Sequence, residues 1–164
     1  TVVALLSILI SIDNNYQSCL VAPTEILAFQ HFKNFKNKFE NLGLVVKVLT
    51  GSTKSSDRKI LLNDLKNGSI NLLIGTHAIF EQNVIFNNLG YAVIDEQHRF
   101  GVKQRSKIWE KNNPPPHVLI MTATPIPRTL TMSLYGDLDL SIIDELPPGR
   151  KDVITVHRLS LIHI

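Results

Sequence analysis

Five short apolar runs punctuate the chain: SCLVA (18–22), LVVKVL (44–49), INLLIG (70–75), YAVID (91–95) and HVLIMT (117–122). Each is almost continuously apolar rather than alternating, the pattern of a strand covered on both faces in a parallel sheet. Helical periodicity lies between them. In FQHFKNFKNKFE, Phe29, Phe32, Phe35 and Phe39 recur at three- and four-residue steps as one apolar stripe, with Lys33, Lys36 and Lys38 turned away from it. DRKILLNDLKNG (57–68) opens on Asp57 as an N-cap and closes on Gly68 as a C-cap. PRTLTMSLYG (127–136) starts with proline and ends with glycine, the usual polarity of a helix. The opening TVVALLSILISI predicts a buried helix: it falls short of the ~20 apolar residues of a membrane span and is stopped by Asp13, Asn14 and Asn15. Strand alternating with helix predicts an α/β fold, a parallel sheet flanked by helices with right-handed crossovers.

The strand exits are as regular as the strands. APTE comes after the first strand, TGS after the second, THA after the third, DEQH after the fourth and TATP after the fifth. In open α/β sheets ligands bind outside the carboxyl edge. Any one of these loops could be ordinary turn chemistry, but five in succession predict one continuous functional surface. NNPPPH (112–117) is a stiff extended connection, ELPPGR (145–150) a second break, and VITVHR (153–158) resumes a strand pattern, which places a domain edge near 145.

Composition changes this picture little. Seventeen Lys+Arg against fourteen Asp+Glu give a net charge of +3, which permits a polyanionic partner without requiring one. The one cysteine, Cys19, rules out an internal disulfide, fits a reducing compartment and lies in an apolar run as a buried, inert thiol.

The chemistry concentrates at Asp95 and Glu96. Adjacent carboxylates at the end of a buried strand repel and lose hydration, so a cation is the usual compensation. Oxygen-only donors suit Mg²⁺, with the aspartate on the ion and the glutamate orienting or deprotonating water. Zinc fits less well, since His77 and His117 share no ligand spacing with Asp95, Glu96 and His98. No G-x-G-x-x-G occurs, which disfavours a dehydrogenase, and the phosphate cradle G-x-x-x-x-G-K-[ST] is absent from these 164 residues.

DEQH (95–98) resembles the Walker B motif, or motif II, of superfamily 2 helicases, and TAT (122–124) their motif III. Longer strings carry more weight. APTEILAFQHF, GTHAIF, VIDEQHRFGVKQR, MTATPIPRTL and YGDLDLSIIDELPPGR together resemble the first motor domain of the RecG family of bacterial DNA helicases, over residues 1–158. The transcription-repair coupling factor shares the RFGV and TATPIPRTL style of motif and is the alternative, with GDLDLSIIDELPPGR favouring the RecG family. A rival of another class is a non-catalytic basic module that binds nucleic acid and whose acids are structural.

The resemblance implies a RecA-like P-loop NTPase lobe using ATP and Mg²⁺, in a cytoplasmic enzyme that remodels branched DNA such as forks and Holliday junctions during repair and recombination. It implies that Asp95 holds Mg²⁺, Glu96 activates water, and Gln97 and His98 couple the γ-phosphate to the motor. Thr122, Ala123 and Thr124 relay closure between lobes. Pro23, Thr24 and Glu25, with Thr50 and Gly51 and with Thr76 and His77, correspond to loops that grip the sugar-phosphate backbone. His77 gains only from its place in GTH; for His31 a packing or surface role is the expectation. In the family a GSGKT loop precedes a buried helix, so Thr1 corresponds to its last residue and to a hydroxyl on Mg²⁺, with the chain truncated at its N-terminus. The expected organisation is an ATP-binding lobe over 1–145, a linker and start of a second lobe over 146–158, and a non-native tail over 159–164. Without the phosphate loop and an opposing lobe in cis, whose arginine finger is worth roughly 10³–10⁵ in rate in comparable systems, the fragment itself is expected to be inactive.

Overall fold

In the computed structural model, which describes residues 1–96, 107–123, 139–145 and 149, each of the five apolar runs is a strand. They are β1 (Gln17–Val21), β2 (Val46–Leu49), β3 (Leu72–Gly75), β4 (Leu89–Asp95) and β5 (His117–Met121). Together they form a five-stranded sheet in the order β2-β3-β1-β4-β5, with every neighbouring pair parallel. Side chains leave a strand to alternate faces, and β1 feeds both. Cys19 and Val21 join Leu61, Leu65 and Leu73 on one side, while Leu20 and Ala22 join Ile8, Phe35, Phe39 and Ile74 on the other. Every residue of β1 and β3 is buried; Lys47 on edge strand β2 is exposed.

Three helices depart from expectation in detail. The first, α1 (Val2–Asp13), buries only Ala4, Ile8 and Ile12, while Val2, Val3, Leu6 and Ile10 are exposed. It is half-buried because a four-residue repeat gives one seam on the sheet, flanked by the partly buried Leu5 and Leu9. The second, α2 (Glu25–Glu40), starts earlier than the phenylalanine stripe: Thr24 caps it, its hydroxyl accepting the Leu27 N–H at 3.3 Å. Its buried row is Ala28, His31, Phe35 and Phe39, with Phe32 partly buried and Phe29 exposed. Phe29 lies about 120° around the helix from Phe35, off the core side. The third, α3 (Ser55–Lys66), begins two residues before Asp57. Asp57 is therefore in the first turn, where its charge favours the helix dipole, and Lys54 is the cap residue. Asn67 ends the helix, and Gly68 comes next at φ +80°, a conformation glycine adopts without strain.

The amino end of the sheet is pinned by one side chain. Gln17 is buried, and its amide nitrogen donates to the carbonyls of Leu65 (2.9 Å) and Ile70 (2.8 Å). Its carbonyl oxygen accepts the N–H groups of Asn87 (2.7 Å) and Asn88 (3.0 Å). One residue thus closes the α3–β3 connection and the entry to β4. At the other end, Gly75 admits no side chain, since a Cβ there would lie 2.1 Å from the Leu49 carbonyl oxygen.

The chain divides into two compact units, Thr1–Pro125 and Ile126–Ile164. The sheet and its helices belong to the first. The expected helix at 127–136, most of the break at 145–150, the strand at 153–158 and the tail at 159–164 lie outside the described residues.

Candidate functional site

Parallel pairing brings the five strand exits to one edge. Leu49 pairs with Gly75, Gly75 with Val21, and Val21 with Ile94. Asp95 pairs with Met121. Thr50, Thr76, Ala22, Asp95 and Thr122 therefore succeed one another across a single carboxyl rim. The strand order sorts them. Loops rich in threonine and glycine occupy the β2, β3 and β1 side, and the acids with Thr122 and Ala123 occupy the β4 and β5 side.

On the acidic side, Asp95 closes β4 with a mostly buried carboxylate. His31, arriving from α2 on the sheet face, donates its Nε2–H to Asp95 Oδ2 at 2.9 Å. A carboxylate oxygen can only accept here, so Nε2 is the donor nitrogen of the ring in this contact. Glu96 is half-buried at φ +50°, a left-handed backbone that costs a non-glycine residue roughly 1–3 kcal/mol. Such strain concentrates at functional positions, and here it turns the chain sharply at the end of the strand. Thr122 and Ala123 are exposed immediately after β5. Gln97, His98 and Thr124 lie outside the described residues.

On the other side, Glu25 organises the loop after β2. Its carboxylate accepts the Ser52 N–H at 3.0 Å and the Ser52 hydroxyl at 2.8 Å. The Ser52 hydroxyl and amide hold the Glu25 carboxyl below the usual glutamate range. Thr50 shares a hydrogen bond with Ser52 between hydroxyls at 2.9 Å, and its N–H donates to the Thr53 hydroxyl at 3.0 Å. Thr50 and Thr76 are buried, so their hydroxyls are not presented to solvent. Thr24, Gly51, Ser52 and His77 are exposed and Pro23 is half-buried. Thr1 is exposed and lines a shallow cleft with Leu5, Asn34, Phe35 and Lys38, without making a capping bond to α1.

The donor set bears on the ion that the acids imply. Among the described residues, no three His, Cys, Asp or Glu side chains gather as a metal cluster. Asp95 would offer such an ion one carboxylate oxygen, the other accepting from His31. A site with so few protein carboxylates would suit a hard cation that keeps much of its water. Mg²⁺ has those habits, and the residues fit it. Cys19 takes no part, since burial pushes its thiol up to about 12. A cleft of about 250 Å³ lined by Phe80, Val84, Ile85, Lys107 and Lys111 holds none of the rim residues.

Sequence reasoning missed His31 and Ser52. The signal for His31 was present, since it sits four residues before Phe35 and eight before Phe39, a polar residue on the buried row of an amphipathic helix. Ser52 carried no signal, because its partner lies 27 residues away.

A five-stranded parallel sheet with an acidic strand end beside a threonine-rich exit is the RecA-like helicase lobe. The chain belongs to the DEAD/DEAH box helicase family, whose model matches residues 1–133. Within that class it is similar to ATP-dependent DNA helicase RecG. It is 54% identical to that protein from Aquifex aeolicus over 156 residues, 94% of this chain and 20% of the relative. To RecG of Haemophilus influenzae it is 52% identical over 159 residues, covering 95% and 23%. A structure of RecG bound to a three-way DNA junction superposes with a TM-score of 0.78 at 42% identity, over 93% of this chain and 20% of that one. The Mycobacterium smegmatis helicase Lhr, at 16% identity and a TM-score of 0.55, shares the fold. The chain thus spans about a fifth of the length of the RecG relatives it matches. These relatives favour RecG over the coupling factor.

Proposed function

We propose that this chain is the nucleotide-hydrolysing lobe of an ATP-dependent DNA helicase that remodels branched DNA, such as forks and Holliday-type junctions, in repair and recombination. The observation that carries the reading is the divided rim, with acids at the β4–β5 exits and hydroxyl- and glycine-bearing loops at the β2, β3 and β1 exits. Asp95 holds Mg²⁺, with the Thr1 hydroxyl as a further oxygen donor. When bound there, the ion would supply positive charge against that developing in phosphoryl transfer. Glu96 orients the attacking water and takes its proton. Gln97 and His98 couple the γ-phosphate to motion, and Thr122, Ala123 and Thr124 relay it to a second lobe supplied in cis.

Pro23, Thr24, Glu25, Thr50, Gly51, Thr76 and His77 form the three loops that meet DNA. Because Thr50 and Thr76 are buried, the contacts themselves fall in this reading to the exposed Thr24, Gly51, His77 and the neighbouring Ser52, while Glu25 braces the loop. Contacts of this kind read the sugar-phosphate backbone without regard to sequence and weaken as salt rises. No described helix is long and apolar enough to cross a membrane, and the cytoplasm is the compartment proposed. In the full-length polypeptide, ATP hydrolysis should require Mg²⁺ and accelerate on adding forked DNA, less so at high salt. Hydrolysis indifferent to both would contradict the reading.

A further inference from the structure

We propose that His31 is a positioning residue for the metal carboxylate, fixing Asp95 from the helix whose first turn braces the DNA-side loops. The proposal rests on the reading of Asp95 as the Mg²⁺ ligand. His31 is 8% exposed and lies in a row whose other members, Ala28, Phe35 and Phe39, are apolar. A residue needed only for packing would be apolar too, because burying an imidazole without a partner is costly. Its ring lies tilted against that of Phe35 at a centroid separation of 6.2 Å. Its Nε2–H bonds Asp95 Oδ2 at 2.9 Å, and among the described residues Nδ1 has no hydrogen-bond partner. Among the described residues, Asp95 is thus the ring's polar partner.

The consequence falls on the carboxylate. A free aspartate at a strand end turns about its terminal torsion over a broad well. With Oδ2 held, Oδ1 keeps a fixed bearing, which is what a cation that takes few protein ligands requires. The same helix begins at Thr24 and Glu25, seven residues or about 10 Å of helix before His31. Glu25 is tied to Ser52 in the neighbouring loop. One rigid element therefore reaches both halves of the rim, at its cap and at its second turn.

The test is Mn²⁺ binding in the presence of a non-hydrolysable ATP analogue, monitored by electron paramagnetic resonance on the full-length polypeptide. His31→Leu should weaken Mn²⁺ binding roughly 10- to 100-fold, the usual effect of removing a partner that orients a metal ligand. His31→Gln, whose amide can donate to the same oxygen, should stay close to the parent. Circular dichroism checks folding, and His31→Asn, too short to reach Asp95, replaces the leucine variant if that one does not fold. Parental affinity in His31→Leu or His31→Asn, or equal losses in the glutamine variant, would overturn the proposal. A parent protein with no nucleotide-dependent Mn²⁺ site would instead bring down the assignment of Asp95 and the proposal with it.

Discussion

Glu96→Gln should lower DNA-stimulated ATP turnover by about 10²- to 10⁴-fold, the range for loss of a positioned general base. Binding of Mg–ATP and thermal stability should remain near the parental values. The amide has the shape of the carboxylate but cannot take a proton from water, and Asp95, the proposed ion ligand, is untouched. Glu96→Gly separates chemistry from strain. Glycine adopts the φ of +50° freely, so this variant should be inactive yet no less stable than the parent. Steady-state turnover at saturating DNA, set beside nucleotide affinity and melting temperature, decides the matter. Turnover in Glu96→Gln within a few-fold of the parent would remove Glu96 from the chemistry.

Gln17→Leu should destabilise the fold by about 3–5 kcal/mol, taking about 1 kcal/mol for each of four hydrogen bonds lost to buried backbone groups. Two carbonyls and two N–H groups would lose their partner, and leucine offers them nothing. Domains of this size are stable by only ~5–15 kcal/mol, so the variant should unfold at far lower denaturant than the parent. Gln17→Glu makes a sharper control. It keeps the acceptor facing Asn87 and Asn88 but turns a carboxylate oxygen on the Leu65 and Ile70 carbonyls. Urea unfolding of the three proteins measures both effects, and a loss below about 1 kcal/mol in Gln17→Leu would mean the clip is dispensable.

The two sites differ in how far the sequence exposed them. The strands were legible because a parallel sheet covered on both faces needs unbroken apolar runs, and β1 and β3 are buried throughout. The rim was legible from the same pattern, since parallel strands deliver all their exits to one edge. What escaped were contacts made across long sequence distances. Gln17 reads as one polar residue at the start of a strand; its four partners lie 48 to 71 residues away. Ser52 reads as turn chemistry until Glu25 is brought beside it. Phe29 fell outside the core because the phenylalanines drew the stripe, whereas helical geometry put the buried row through 31, 35 and 39. Asp57 looked like a cap because aspartate favours that position, yet two serines and Lys54 lengthened the helix before it.

Iron-directed backbone cleavage tests the shared rim most directly. Fe²⁺ replaces Mg²⁺ in the nucleotide-bound full-length polypeptide, and peroxide then cuts the chain wherever it passes the ion. Nucleotide-dependent cuts are expected at 95–96 and 122–123, segments distant in sequence but adjacent across β4 and β5. Those cuts should fade when Mg²⁺ competes and disappear in Asp95→Asn. Cleavage confined to other segments, or unaffected by Asp95→Asn, would contradict a magnesium site on this rim.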